Sequence, residues 1–334
     1  MSEKQKINIL WFTKDLRIRD NESLHRIMQD DLPFLAVYIF DDDFFKSQQL
    51  GFRKIGKFRA KFLLESVLDL EKSLDQKKIT FLKKRGKTQT VFKQISNYFE
   101  IEKIVCQREW TQEEINIENE IKEVLPNAKW SKSYSQLLLK PDFVKQKLEK
   151  VPLLFTTFRQ KIEKKLSIRK EFDTENLKYT KSFFDLKLMS DNMTLGSLGF
   201  DDFEVNQSSA FPFSGGETQG LQRLKCYFFE TRNLSVYKDV RNGLLGKDYS
   251  SKFSAWFANG SLSAVSVYHE IKNYEAEFGS NDSTYWMFFE LLWRDFFKYT
   301  SKQHHNKLFH QNGILETDYD FKSDQKNSVD WKNG

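Results

Sequence analysis

The chain has 334 residues, 39% hydrophobic and 30% charged, a balance typical of globular proteins and long enough for two domains. Its formal net charge of +6 suits an anionic partner without requiring one. Two distant cysteines, Cys106 and Cys226, argue against a disulfide scaffold and a cysteine-ligated zinc site. No run of 18 apolar residues and no signal-peptide pattern occurs, which predicts a cytoplasmic protein with no membrane contact.

Strands and helices alternate in the first third of the chain. Short β-rich runs predict strands at residues 7–12, 34–40, 79–84 and 103–107, with helical patterns between them. In the longest pattern, FRAKFLLESVLDLEKSLD, the apolar residues fall on one helical face. The alternation predicts an α/β domain with a Rossmann-like parallel sheet over residues 1–128.

The alternation stops after residue 128. Residues 129–215 are irregular in composition and predict an interdomain linker. From residue 216 to about 305 helical periodicity dominates, which predicts an all-α domain over residues 216–334. The last segment, residues 310–334, is polar and shows no clear capped terminal helix, as in a chain that stops within a domain. This helical domain is therefore expected to be incomplete.

The segment WFTKDLRIRDN, residues 11–21, follows the first predicted strand and leads into a helix. Backbone amides at such a junction bind anions, and Lys14, Arg17 and Arg19 would reinforce that binding. The alternative is a charged turn in which Asp20 or Asn21 caps the helix, and this simpler interpretation is favoured. Neither a GxGxxG motif nor a P-loop is present.

A cluster of serines precedes an apolar helical run in VYKDVRNGLLGKDYSSKFSAWFANGSLS, residues 236–263. The hydroxyls of Ser250, Ser251 and Ser254, with Lys252 among them, form a plausible cradle for a diphosphate. The alternative is a helix N-cap, which needs only one serine. The three hydroxyls, with Tyr237 and Arg241 nearby, favour the cradle.

Charged residues interrupt an apolar, aromatic run at FELLWRDFF, residues 289–297. On a helix, Glu290 and Arg294 are i,i+4 neighbours, and Trp293 lies beside them. They form either an internal ion pair that staples a core helix or one wall of a cavity. The paired histidines at 304–305 lack a third ligand, so no metal site is predicted.

Together these stretches resemble the photolyase/cryptochrome family, most closely its DASH-type branch. The resemblance rests on ILWFTKDLRIRDNESL, KFRAKFLLESVLDL, GGETQGLQRLKCYF, YKDVRNGLLGKDYSSKFSAWFANGSLS and NDSTYWMFFELLWRDFFKY, which follow one another in the family's order. It implies an N-terminal antenna domain, a linker and a helical domain that holds FAD. Members of the family continue well beyond a WKNG-like segment, so this chain is expected to retain FAD poorly.

The resemblance also implies roles for individual residues. It assigns FAD binding to Tyr237, Ser250, Ser251, Lys252, Phe253, Ser254 and Arg294. Glu290 and Trp293 match the catalytic pocket wall that meets a flipped pyrimidine dimer, and Arg241 matches a DNA-contacting arginine. Glu114 matches the carboxylate that binds a 5,10-methenyltetrahydrofolate antenna.

The implied function is FAD-dependent, blue-light-driven repair of cyclobutane pyrimidine dimers, the activity of a deoxyribodipyrimidine photo-lyase. A monomer with a preference for single-stranded DNA is expected. One alternative is a blue-light photoreceptor that signals without repair. A second alternative is a flavin-free remnant that only binds nucleic acid.

Overall fold

A five-stranded parallel sheet forms the first part of the protein. The structure is a computed structural model, and it describes residues 4–47, 51–179, 190–206, 208–318, 320 and 324–333. The strands are β1 Gln5–Trp11, β2 Phe34–Asp41, β3 Phe81–Gly86, β4 Phe99–Gln107 and β5 Lys129–Ser133. Their order is β3-β2-β1-β4-β5, with every neighbouring pair parallel. The connecting helices are α1 Glu22–Met28, α2 Asp42–Phe45, α3 Lys57–Gln76, α4 Thr88–Tyr98 and α5 Gln112–Val124.

Helices cover both faces of this sheet. All eight residues of β2 are buried, as expected of a parallel strand whose two faces are both covered. One apolar cluster includes Leu64 and Val67 of α3, and the cluster on strands β1–β4 includes Phe92 of α4 and Ile121 of α5. The prediction of an α/β N-terminal domain is therefore confirmed.

The predicted boundary at residue 128 is wrong, because the fifth strand of the sheet lies beyond it. β5 pairs with β4 from Lys129 opposite Lys103 to Ser133 opposite Gln107. Its sequence, KWSKS, has a single apolar residue, Trp130, which packs edge-on against Trp11. An edge strand with so little apolar surface lacks the pattern that identifies a buried strand.

We expect residues 1–133, expressed alone, to unfold cooperatively at a higher temperature than residues 1–128. β5 occupies the outer edge of β4, which would otherwise present unpaired backbone groups to water. Thermal melts followed by circular dichroism compare the two fragments. Equal melting temperatures would contradict the stabilising role of β5, and broad melts for both would show that the sheet needs the helical half.

The opposite edge of the sheet is covered by the segment at residues 190–191. The backbone N–H of Asp191 donates to the Lys83 carbonyl oxygen at 2.8 Å, and the Asp191 carboxylate accepts from the Arg85 N–H at 2.9 Å. The Ser190 hydroxyl accepts from the Lys83 N–H at 3.2 Å. These contacts satisfy backbone groups of β3 that would otherwise form an exposed sheet edge.

Helices dominate the rest of the described chain. They are α6 Pro141–Lys147, α7 Phe155–Ile162, α8 Glu217–Lys225, α9 Tyr237–Val240, α10 Ser254–Asn259, α11 Ala264–Phe278, α12 Asp282–His304 and α13 Gln325–Asn333. A π-helical turn, Cys226–Glu230, follows α8 directly. The prediction of a helical second part is confirmed, and no helix within the described ranges is both long and apolar enough to cross a membrane.

The predicted linker at residues 129–215 is in part ordered structure, since it contains β5, α6 and α7. Phe155 and Phe158 of α7 pack their rings against Phe296 of α12 at 5.6 and 5.4 Å between centroids. Both phenylalanines belong to the main apolar cluster of the helical half. Short helices of this kind give too few turns for a clear apolar period, which is why the sequence pattern missed them.

The turn at residues 13–21, here called the junction turn, connects the sheet to the helical half. Arg17 is 1% exposed, and its guanidinium donates to the carbonyl oxygens of Arg19, Asp20, Ser135 and Gly260. These acceptors come from the turn itself, the segment after β5 and the loop after α10. One buried side chain therefore ties three parts of the chain together.

Two further groups close this junction from the helical side. The Glu217 carboxylate accepts from the backbone N–H groups of Ile18 at 2.6 Å and Arg19 at 2.8 Å. Burial raises the pKa of Glu217 to about 7, while the two amide hydrogen bonds oppose that rise. Gly260 has φ +76°, and a Cβ there would overlap the Lys14 carbonyl oxygen, so only glycine fits.

The capping interpretation of the junction turn is confirmed, because the Asn21 side chain accepts from the Leu24 N–H at 3.0 Å. The cations of the turn already have acceptors within the chain. Lys14 pairs with Glu114, and Arg19 pairs with Glu171 and Glu270. This arrangement does not favour an anion site at the turn.

Candidate functional site

Two segments of the helical half enclose a cavity of about 600 Å³, here called the site cavity. One segment leads into α10, and the other is α12. The lining residues are Tyr237, Ser250, Ser251, Lys252, Phe253, Ser254, Phe257, Ala258, Met287, Glu290, Leu291, Arg294 and Lys298. The structure thus brings together all seven residues predicted to bind FAD, and the volume lies within the roughly 300–1,000 Å³ typical of ligand pockets.

The serine segment of the cavity is held from behind by Arg223 of α8, whose side chain is buried. Its guanidinium donates to the carbonyl oxygens of Lys247, Ser250 and Ser251 and pairs with Asp248 at 2.8 Å. No sequence pattern indicates this contact, because Arg223 lies more than twenty residues before the segment that it fixes. With the backbone carbonyls turned toward Arg223, the segment has a defined shape along the cavity.

Lys252 occupies a sparsely populated backbone conformation within this segment. Its φ is +64°, which is uncommon for any residue other than glycine, asparagine or aspartate. Its ammonium lies 3.5 Å from the centre of the Tyr249 ring, a cation–π contact. Outlying backbone geometry of this kind clusters at ligand sites, and here it falls among the three serines of the predicted cradle.

Arg294 of α12 forms the opposite side of the cavity. Its guanidinium donates to the Gln136 carbonyl oxygen at 2.5 Å and lies 5.2 Å from the centre of the Phe257 ring. Burial lowers the pKa of Arg294, and the neighbouring Asp295 opposes that change. A bound anion would offset the desolvation of this cation.

Of the two alternatives for Glu290 and Arg294, the internal ion pair is not formed within the described residues. Glu290 instead pairs with Arg241, and its pKa is raised by partial burial, against the attraction of that arginine. Asp295 is fully buried, and its carboxylate accepts from the backbone N–H groups of Leu138 and Leu139. Of the three charges in FELLWRDFF, Glu290 and Arg294 therefore face the cavity, whereas Asp295 anchors the segment before α6.

Trp293 is not among the residues that line the site cavity, unlike the placement that the sequence predicted. Its indole stacks on the Phe155 ring at 3.8 Å between centroids and on the Phe297 ring at 5.4 Å. A residue three positions after Glu290 is rotated by about 60° around the helix, and here that rotation turns the indole toward α7. Its contact with an extruded base stays a prediction.

Arg241 lies beside the cavity at its Glu290 side. Its guanidinium pairs with Glu290 and lies 4.5 Å from the centre of the Trp286 ring. The ion pair and the ring hold the arginine in place, and its side chain is 27% exposed to solvent. From this position Arg241 can contact a ligand that reaches the cavity from solvent. Its role in binding DNA stays a prediction.

Lys298 is a lining residue that the sequence analysis missed. It lies four residues after Arg294, which in turn lies four after Glu290, so the i,i+4 repeat on α12 could have identified it. No ion pair of Lys298 is formed within the described part of the chain. Burial lowers its pKa, with Arg294 and Lys14 acting in the same direction and Glu109 and Glu114 opposing them.

A second, smaller cavity of about 180 Å³, the strand-end cavity, lies at the carboxyl ends of the sheet strands. Glu114 lines it, pairs with Lys14 and accepts from the Thr111 hydroxyl. Each carboxylate oxygen has one donor and keeps capacity for another, while the volume is below the roughly 300 Å³ of typical ligand pockets, so folate binding by Glu114 stays a prediction. Ala258 of α10 lines both cavities, so this helix forms their common wall.

No group of three or more His, Cys, Asp and Glu among the described residues could hold a metal ion. The site cavity is lined by hydroxyls, cations and apolar side chains. The cavity lining contains three cations, Lys252, Arg294 and Lys298, and one carboxylate, Glu290. That carboxylate already has Arg241 as its partner. The cavity is suited to a ligand with an anionic part and an apolar part.

Residues 8–177 match the family model described as DNA photolyase, which covers half of the chain. The chain belongs to the DNA photolyase family. It is 38% identical over 329 residues to cryptochrome DASH of Synechocystis sp., an alignment that covers 98% of this chain and 66% of that protein. It is 34% identical over 348 residues to cryptochrome DASH of Xenopus laevis, covering 100% of this chain and 64% of that protein.

Solved structures agree with this assignment to the DNA photolyase family. The crystal structure of a Synechocystis sp. cryptochrome matches with a TM-score of 0.90 and 37% identity, covering 100% of this chain and 69% of that one. A class III photolyase from Agrobacterium tumefaciens matches with a TM-score of 0.72 and 18% identity, covering 100% of this chain and 66% of that one, which shows a shared fold. The resemblance to the photolyase/cryptochrome family and its DASH-type branch is thus confirmed. The chain spans just under two thirds of the length of the curated relatives it matches.

Proposed function

We propose that the site cavity binds FAD and that the protein uses blue light to split cyclobutane pyrimidine dimers, with a preference for single-stranded DNA. The observation that supports this most is the site cavity itself. It combines three serine hydroxyls and three cations with the apolar side chains of Phe257, Met287 and Leu291. FAD has the matching chemistry, an anionic diphosphate joined to large aromatic rings.

The fit to FAD can be stated residue by residue. The hydroxyls of Ser250, Ser251 and Ser254 would donate to the diphosphate oxygens, and Lys252 would supply a charge-assisted contact. Arg294 and Lys298 would add positive charge on the α12 side. In return, a bound anion would compensate these two partly buried cations, whose charges are only partly compensated within the chain.

Bound in its reduced form and excited by light, FAD would supply the electron that opens the cyclobutane ring and would regain it once the ring has split, so that no net oxidation takes place. The protein's own task is to bind and orient. Glu290 lies at the cavity beside Arg241, where its carboxylate can accept hydrogen bonds from the edges of an extruded base. Extrusion is least costly from a single strand or at a damaged site, which supports the proposed preference for single-stranded DNA.

A titration tests the cofactor half of this proposal. We expect FAD to bind to the purified chain and riboflavin, which lacks the diphosphate, to bind at least about tenfold more weakly, since one or more charge-assisted hydrogen bonds are lost. Flavin fluorescence anisotropy measures both affinities, including weak ones. Equal binding of the two ligands, or no binding of FAD, would contradict the assignment of the serine segment as a diphosphate cradle.

Illumination of the FAD-bound protein with a dimer-containing single strand, after the bound FAD has been reduced with dithionite in the absence of oxygen, tests the activity half. Loss of dimers under blue light, and not in the dark, is the expected result. FAD binding without dimer loss would favour a photoreceptor that signals without repair. Nucleic-acid binding without FAD binding would favour a flavin-free remnant, and either outcome would overturn the proposed activity.

A further inference from the structure

Two adjacent leucines stand almost fully in solvent at the tip of the loop between α9 and the serine segment. Leu244 is 83% exposed and Leu245 is 92% exposed, and glycines flank them on both sides. We call residues 243–246 the leucine tip. Single exposed leucines are ordinary, but two neighbouring ones at the end of a loop form an apolar projection that water does not favour.

The leucine tip has a defined backbone rather than an unstructured one. A Cβ on Gly243 would approach the Tyr249 Cβ within 3.0 Å and the Val240 carbonyl oxygen within 3.2 Å. Gly246 has φ +79°, a left-handed conformation that favours glycine. The positions around the leucines are therefore constrained by close packing and by backbone conformation.

The base of this loop is fixed on both sides. Arg223 donates to the Lys247 and Ser250 carbonyl oxygens on one side of the tip. On the other side, the Arg241 N–H donates to the Tyr237 carbonyl oxygen at 3.0 Å, and its guanidinium pairs with Glu290. The loop and the short helix α9 before it thus lie between Tyr237 and Ser250, and both of these residues line the site cavity. The leucine tip therefore lies in the chain between two segments that line the site cavity.

The chain on either side of the tip is cationic. Lys238, Arg241, Lys247 and Lys252 lie within nine residues of the leucines, as do Asp239 and Asp248. Lys238 pairs with Asp282, Arg241 with Glu290 and Asp248 with Arg223, whereas Lys247 and Lys252 form no ion pair within the described residues. Such surroundings attract a phosphate backbone. An apolar projection with cations at its base is the arrangement that proteins insert between stacked bases, where it fills the space of an unstacked step.

We propose that the leucine tip is an apolar wedge that enters a DNA strand beside the nucleotide extruded into the site cavity. This rests on the proposed function, because it requires an extruded base. Leu244 and Leu245 would replace the stacking that the strand loses, while the cations at the base of the loop contact the flanking phosphates. The tip would therefore favour extrusion without touching FAD.

The test is the double variant Leu244→Ser/Leu245→Ser, with Leu315→Ser as the matched control, because Leu315 is also exposed, at 62%. The probes are a duplex that contains one thymine dimer next to 2-aminopurine and the same duplex without the dimer. We expect the parent and the control to raise the 2-aminopurine fluorescence of the dimer duplex. The double variant should lose that rise and bind the dimer duplex about tenfold more weakly, with unchanged affinity for FAD.

Three results would overturn this proposal, and they are distinguishable. If the double variant matches the parent in fluorescence and in affinity while the parent binds dimer DNA, the wedge is wrong and the proposed function stands. If the parent binds neither duplex nor the dimer-containing single strand, the proposed function fails as well. If the double variant instead loses binding to vesicles of anionic phospholipid with DNA binding unchanged, the tip contacts a membrane surface.

Discussion

Replacing Arg17 with Met is expected to destabilise the protein by at least about 3 kcal/mol, because three buried carbonyl oxygens and one partly buried carbonyl oxygen lose their donor. The methionine fills much of the space of the arginine stem, so the loss reports on hydrogen bonds more than on packing. For a protein of this size the melting temperature should fall by at least roughly 6 °C. Urea unfolding followed by circular dichroism measures the change in free energy.

The matched control for this variant is Arg26→Met on α1. Arg26 pairs with Glu22 at the surface and retains 45% side-chain exposure, so its loss should cost less than about 1 kcal/mol. Similar destabilisation of the two variants would contradict the role of Arg17 as the tie between the sheet and the helical half. A loss confined to Arg17→Met would support it.

Replacing Arg294 with Met is expected to weaken FAD binding by about ten- to a hundredfold, the equivalent of one lost hydrogen bond to a charged group. This prediction rests on the proposed function. Arg294 lines the site cavity, and its charge is only partly compensated by Asp295. Because affinity is read from a flavin fluorescence titration, cofactor lost during purification does not obscure the result.

Lys302→Met is the control, since Lys302 is on the same helix but lines a different groove. We expect the control to bind FAD as the parent does, and Lys298→Met to fall between the two. Melting temperatures should accompany the titrations, because Arg294 also donates to the Gln136 carbonyl oxygen. Unchanged affinity of a folded Arg294→Met protein would contradict the assignment of α12 as a wall of the FAD site.

The sequence pattern predicted the sheet well where strands are buried and poorly where they are not. β1, β2 and β4 contain apolar runs, β3 begins with one, and helical periods separate all four, so their presence and parallel arrangement follow from the alternation. β5 has one partner strand and one apolar residue, and neither its presence nor its pairing with β4 leaves a local pattern. The domain boundary was misplaced for this reason alone.

The site was predicted by a different kind of information. The serine cluster and the charges within an apolar helix indicated two candidate segments, but only the family resemblance joined them into one cavity. The stacking of Trp293 on Phe155 was not predicted, because α7, which supplies Phe155, was not predicted. Contacts such as that of Arg17 with Gly260, which join residues 243 positions apart, have no periodicity to reveal them.

The common wall between the two cavities has a thermodynamic consequence. α10 contributes Ala258 to both, so a ligand that shifts this six-residue helix from one side changes the free energy of binding on the other. Such an effect is reciprocal. If a ligand in the strand-end cavity changes the affinity of the site cavity by some factor, a ligand in the site cavity changes the affinity of the strand-end cavity by the same factor. A titration of either cavity, with the other empty and then filled, would therefore measure the same coupling free energy.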